Sequence, residues 1–167
     1  MSSSPLAAGI DVAGEVSPPA ITGELAIHAS SWEIPTGGRV ELTDLTARLR
    51  QHVRGLPVRE GVVRLWSLHT TCAVFVTEAQ DALATDIVRL LERLAPQGGG
   101  WRHDDPAYSD CDRRNADAHL RALLLGQSVT LPLAGGDVLL GQWQRVLLGE
   151  LDGPRSRTLY VQVQGVA

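Results

Sequence analysis

From Gly61 to Thr77 the chain is built largely of Val, Leu, Trp, Ala, Thr and Phe, residue types that suit a pleated, half-buried surface. The run is too long for one strand, since strands average about 5–6 residues. His69-Thr70-Thr71 interrupts it with an imidazole and two hydroxyls. A bend is therefore expected there, with a strand on either side. That single feature favours a β-rich core and places polar atoms at the break.

The rest of the chain agrees with this frame. Alternation from Glu24 sets Leu25, Ile27 and Ala29 on one face of a strand and Ala26 and His28 on the other. Pro35-Thr36-Gly37-Gly38 reads as a turn. Thr43 is expected to cap a helix whose stripe is Leu45, Leu49 and Val53 and which stops at Gly55 and Pro57. Asp81 is expected to cap a second helix over about 82–95, with Ile87, Leu90, Leu91 and Leu94 as its apolar stripe. A long polar loop spans 96–114, and a short helix follows at about 116–125. Val129–Leu133, the turn Gly135-Gly136-Asp137 and Val138–Leu140 read as a hairpin. Strands at Trp143–Glu150 and Leu159–Gln164 complete the chain. The expected class is α+β, mainly β: a sandwich-like arrangement of mostly antiparallel sheets with two or three short helices. A doubly wound parallel fold needs a regular β-α alternation that is absent.

At 167 residues the chain fits one domain, expected over 23–167 after a flexible tail at 1–22 rich in Ser, Pro, Ala and Gly. Its formal net charge of −4 offers no broad attraction for nucleic acid or an anionic membrane. The two cysteines, Cys72 and Cys111, form no C-x-x-C pair and are too few for a disulfide framework. No window approaches a membrane span, and MSSSPLAAGIDVAGEV lacks the basic start of a signal peptide, so a cytoplasmic location is expected.

Walker, G-x-G-x-x-G, G-x-S-x-G and H-E-x-x-H motifs are all missing. Polar residues in unusual settings remain. His69 fits either a hydrogen-bonded core histidine or a ligand. His103, in Trp101-Arg102-His103-Asp104-Asp105, fits a solvated or a functional loop. His119 fits packing or ligation beside a Leu-rich face. Together the three imidazoles are the right number for a divalent metal such as zinc, with Asp104, Asp105 and Asp117 to orient them. Glu78 is either a solvated strand-end charge or a general acid/base. Gln144 is a candidate substrate donor, Trp143 a candidate core residue, and Arg155 and Arg157 suit phosphate or solvent. Cys72 reads as an inert core thiol.

His69-Thr70-Thr71-Cys72-Ala73 followed by Glu78, then His103, Ala118-His119-Leu120, Leu123-Leu124-Leu125-Gly126-Gln127-Ser128, Gly141-Gln142-Trp143-Gln144 and Arg157 resemble, in order and spacing, the motifs of the YjbQ-like family. The likeness runs from about Glu24 to Gly165. Members are described as secondary thiamine phosphate synthases, which join a pyrimidine pyrophosphate to a thiazole phosphate. The resemblance implies a homotrimer with a histidine-lined pocket near a subunit interface. It departs from the family at Thr77, where Asn is usual, in the stretch Cys111–Asp117, and at Arg145, where a small residue is common.

The resemblance thus implies catalytic roles for Glu78, His69 and His119, phosphate or substrate contacts from Thr70, Thr71, Gln144 and Arg157, and a metal set of His69, His103 and His119. The metal expected is zinc or magnesium, with no organic cofactor, and the partner a phosphorylated small molecule. The same residues also fit a metal-dependent hydrolase or a non-catalytic metabolite-binding protein.

Overall fold

In the computed structural model, residues 21–167 are described. The expected tail therefore lies outside the described residues except for its last two positions. The elements in chain order are β1 (Ala26–Pro35), β2 (Glu41–Asp44), α1 (Thr46–Arg54), β3 (Glu60–Ser67), β4 (Cys72–Thr77), α2 (Asp81–Leu94), α3 (Ala116–Leu125), β5 (Ser128–Ala134), β6 (Asp137–Val138), β7 (Arg145–Glu150) and β8 (Ser156–Val166). A single 3₁₀ turn, Arg102–Asp104, interrupts the long loop.

The strands form two antiparallel sheets, one of five strands in the order β1-β8-β3-β5-β6 and one of three in the order β2-β7-β4. The fold is α+β and mainly β, as expected. Inward residues of the larger sheet, Val63, Leu65, Leu159, Val161 and Val163, pack against Val74, Val146 and Leu148 of the smaller. Helix α1 closes one border with Leu49 and Val53, both fully buried. Burying such side chains supplies most of the driving force, roughly 1.5–3 kcal/mol each. A second cluster of Ala73, Leu91, Ala118, Ala122 and Leu151 joins α2 and α3 to the smaller sheet.

The polar interruption at His69-Thr70-Thr71 is where the chain leaves the five-stranded sheet and enters the three-stranded one. Gly135 and Gly136, at φ +61° and +81°, form the hairpin turn between β5 and β6, a conformation that requires positive φ at both central positions.

Several local expectations change. Thr43 lies in β2, paired with Leu148, and is no helix cap. The backbone N–H of Thr46 is instead satisfied by Asp44 Oδ1 at 2.8 Å. Gln80, rather than Asp81, caps α2 by accepting from the Leu83 N–H. Within the expected α2 stripe only Leu91 is buried, while Leu90 and Leu94 are 54% and 56% exposed. Leu25 and Ile27 face outward, and the face of β1 that turns to the core carries Trp32 and Ile34. Trp143 is exposed, not core.

Candidate functional site

The ends of several connections meet at one border of the sandwich. The β3–β4 turn brings Leu68 to Thr71, the β7–β8 turn brings Asp152 and Arg155, and the long loop with α3 brings His103, Cys111, Arg113, Asn115 and His119. These residues and Arg157 line a polar cavity of about 440 Å³. His69, Thr70, Thr71, His103, His119 and Arg157, expected site residues from four separate stretches of the sequence, thus line one cavity.

The floor is a buried ion pair. Arg157 donates from Nε to Glu150 Oε2 at 2.6 Å and from Nη2 to Glu150 Oε1 and to Thr71 Oγ1. Glu150 also accepts from Thr36 Oγ1 and from the N–H groups of Leu151 and Asp152. Burial alone would raise the Glu150 carboxyl, but the bonds from Arg157, Asp152 and Thr36 outweigh it and hold the group below its usual range. Burial likewise opposes the charge on Arg157, and Glu150 overcomes it. Arg157 is therefore first a structural residue. Its Nη1 is the guanidinium nitrogen with no hydrogen bond to the described residues.

One wall is organised by Asp152, whose Oδ2 accepts from Asn115 Nδ2 at 2.8 Å and Arg155 Nη2 at 2.9 Å and lies 3.3 Å from Arg113 Nε. Another part of the lining is the edge-to-face pair His103–His119, with ring centroids 4.9 Å apart. Asp104, expected to orient a histidine, caps α3 instead by accepting from the Ala116 N–H. Asp117 is fully buried between Arg39 and Arg121 and holds α3 in place. Burial, then the neighbouring His103, lowers the His119 pKa, so the ring stays neutral near pH 7.

His119 also lines two neighbouring cavities. One, of about 370 Å³, is formed with Trp101, His103, Ala116 and Leu120, and is the more apolar. The other, of about 290 Å³, lies beside Thr70, Leu123 and Gln127. The imidazole of His119 stands at the junction of all three.

Two expected site residues are not brought here. Glu78 follows β4 at its far end, is exposed, and is separated from His69 by the whole strand. Gln144 lies at that same end, next to Arg145, which pairs with Thr77. Its Oε1 accepts from the Gly141 N–H at 2.8 Å and closes a turn. The reason is strand direction: in antiparallel β4 and β7, the end that carries Thr77 and Arg145 is opposite the end that carries Cys72 and Glu150.

The three-histidine metal set does not fit this arrangement. His69 Nε2 accepts a hydrogen bond from the Thr158 N–H at 2.8 Å, so that lone pair is not available to a cation. Among the described residues no group of three or more His, Cys, Asp or Glu side chains is placed to hold a metal ion. Cys72 is buried and burial pushes its thiol up, in keeping with an inert core residue. Glu150 and Asp152 were not singled out in the sequence. Their signal was the charge pattern Glu150-Leu151-Asp152-Gly153-Pro154-Arg155-Ser156-Arg157, two acids and two arginines facing each other across a Gly-Pro turn.

The family model for UPF0047 protein YjbQ-like matches residues 30–166. The chain belongs to this family. A UPF0047 protein of Archaeoglobus fulgidus is 40% identical over 129 residues, covering 77% of this chain and 95% of that protein. Another, from Methanothermobacter thermautotrophicus, is 36% identical over 141 residues, covering 84% and 94%. Among solved structures, a YbjQ-like protein of unknown function from Sulfolobus solfataricus P2 superposes with a TM-score of 0.79 at 29% identity, covering 85% of this chain and 99% of that one. A hypothetical protein from Aeropyrum pernix K1 gives 0.75 at 34% identity, covering 83% and 98%. The polar cavity of this YjbQ-like chain is thus built wholly from the family-matched region. No helix among the described residues is long and apolar enough to cross a membrane.

Proposed function

We propose that this YjbQ-like protein binds a phosphorylated small molecule in the polar cavity and acts as a transferase of the thiamine phosphate synthase kind. The observation that carries the reading is the position of His119, where an arginine-rich polar cavity adjoins two less polar ones. Arg113, Arg155 and the free face of Arg157 suit phosphate oxygens, and Thr70 and Thr71 add hydroxyls. The cavity beside Trp101 suits a flat ring. A reaction in which two heterocycles join as pyrophosphate departs needs this combination: slots for rings beside donors that stabilise the charge on the leaving group.

Asp152 tempers that field, since it already neutralises much of Arg113 and Arg155. An entering phosphate therefore competes with Asp152 for the two guanidiniums, which favours polyanionic ligands over monoanions. Glu78 and Gln144 enter the reading only through assembly: in a homotrimer they would serve the cavity of a neighbouring copy.

Incubation with a pyrimidine pyrophosphate and a thiazole phosphate, in magnesium and separately in chelator, is expected to yield thiamine phosphate and pyrophosphate. Binding of both compounds without product would reduce the role to that of a metabolite-binding protein. Full turnover by a monomer would remove Glu78 and Gln144 from the site.

A further inference from the structure

The hydrogen bond that disqualifies His69 as a metal ligand also assigns its other nitrogen a role. In the β3–β8 ladder Ser67 pairs with Leu159, so Leu68 and Thr158 would be the next partners. Half of that pair forms, with the Leu68 N–H donating to the Thr158 carbonyl at 3.1 Å. The chain then turns away, and the His69 imidazole takes the place of the Leu68 carbonyl as acceptor for the Thr158 N–H.

A ring nitrogen that accepts a hydrogen bond carries no proton, so a neutral His69 must carry its proton on Nδ1. Burial and the nearby Arg157 guanidinium both lower its pKa, against smaller opposing effects of Glu150 and Glu33, which keeps the ring neutral. The residue is also clamped along its backbone. Its N–H donates to Ser67 Oγ at 3.3 Å, and its carbonyl accepts from Ser67 Oγ and from Gln127 Nε2. Tautomer and ring direction are both fixed before any ligand arrives.

Nδ1 itself makes no bond to the described residues. Nor is it shut away, because the one buried, unpartnered side-chain polar atom among them is His28 Nε2. His69 lines the polar cavity, and its Nδ1 is not buried.

We propose that His69 presents a pre-set Nδ1–H donor to an oxyanion in the polar cavity, with Thr158 selecting the tautomer. The inference rests on the reading of that cavity as a phosphate site and adds the atom that does the recognition. The ligand it selects is an acceptor-only oxygen, such as a terminal oxygen of a diphosphate. A cation is disfavoured at this position. Ligation through Nδ1 would push the proton to Nε2, where it would face the Thr158 N–H.

Two isosteric variants separate the two nitrogens. In His69→Asn the amide nitrogen can stand near Nδ1, while the acceptor for Thr158 is lost. In His69→Gln the amide oxygen can stand near Nε2, while the cavity donor is lost. Calorimetric titration with inorganic pyrophosphate in chelator is expected to show affinity reduced about tenfold or more in His69→Gln, at a nearly unchanged melting temperature. His69→Asn is expected to melt lower but to keep affinity within a few-fold. Long-range proton–nitrogen spectra of the wild-type protein should show the Nδ1–H tautomer, unaltered by added zinc. Wild-type affinity in His69→Gln, or an Nε2–H tautomer, would overturn the inference and leave the phosphate reading standing. No pyrophosphate binding by the wild type would overturn both.

Discussion

Replacing Glu150 by Gln is expected to lower stability by about 3–5 kcal/mol, the usual cost of leaving one charge of a buried pair without its partner. Glu150 and Arg157 have side chains only 0% and 1% exposed, so water cannot replace the lost carboxylate. The amide would also have to turn an N–H₂ toward at least one of the donors that now point at Oε1 and Oε2, which include Thr36 Oγ1 and the Leu151 and Asp152 N–H groups. For a chain of this size the drop corresponds to a fall in melting temperature on the order of 10 °C. Urea unfolding checks it, and a paired Glu150→Leu/Arg157→Leu variant should be less damaged than the sum of its single changes.

The same pair makes a pH prediction. Because the folded carboxyl of Glu150 is held below its unfolded value, its stabilisation is fully present above that unfolded value, about 4.3, and is lost as pH falls through the folded one. Wild-type melting temperatures should therefore decline below about pH 4. The decline should be shallower in Glu150→Gln, which has no charge left to lose. A parallel decline in both proteins would mean that other carboxylates carry the acid sensitivity.

The second large effect is expected at His119. Its imidazole touches all three cavities, yet it sits half-buried on α3, whose placement depends on Asp117, Ala118, Ala122 and Arg121. Alanine is favourable in a helix, so His119→Ala should melt within a few degrees of the wild type. Its affinity for a phosphorylated ligand should nonetheless fall at least about tenfold, since the lost imidazole is the wall shared by the polar and apolar compartments. Calorimetry with pyrophosphate and with a pyrimidine pyrophosphate measures this. An unchanged affinity for both would remove His119 from the site.

The border where this site forms could be read in the sequence because its mark is local. A polar His-Thr-Thr step inside a long apolar run has few structural explanations, and a change of sheet is one of them. Helix α3 and the Gly135-Gly136 hairpin were equally local. What escaped depended on register. Whether Gln144 meets His69 is decided by which end of β4 faces which end of β7, and nothing within either strand states that, whereas Glu78 is set apart from His69 by the length of β4 itself. Strand β2 was hidden because Glu41–Asp44 is only four residues long and merges into the helix that follows. Leu90 and Leu94 read as core because an apolar stripe looks the same whether or not a neighbour covers it. The metal set failed for a subtler reason. Three histidines do converge, but one ring nitrogen is used to finish a β-ladder, and that depends on where the fold places Thr158.

The most direct test of the phosphate reading is a crystal structure of the protein grown with inorganic pyrophosphate in the presence of chelator. The account predicts an anion in the polar cavity, within hydrogen-bond reach of His69 Nδ1 and of Arg155 or Arg157. An empty cavity with pyrophosphate bound elsewhere would contradict it, as would an anion held there only when zinc is restored and ligated by His69.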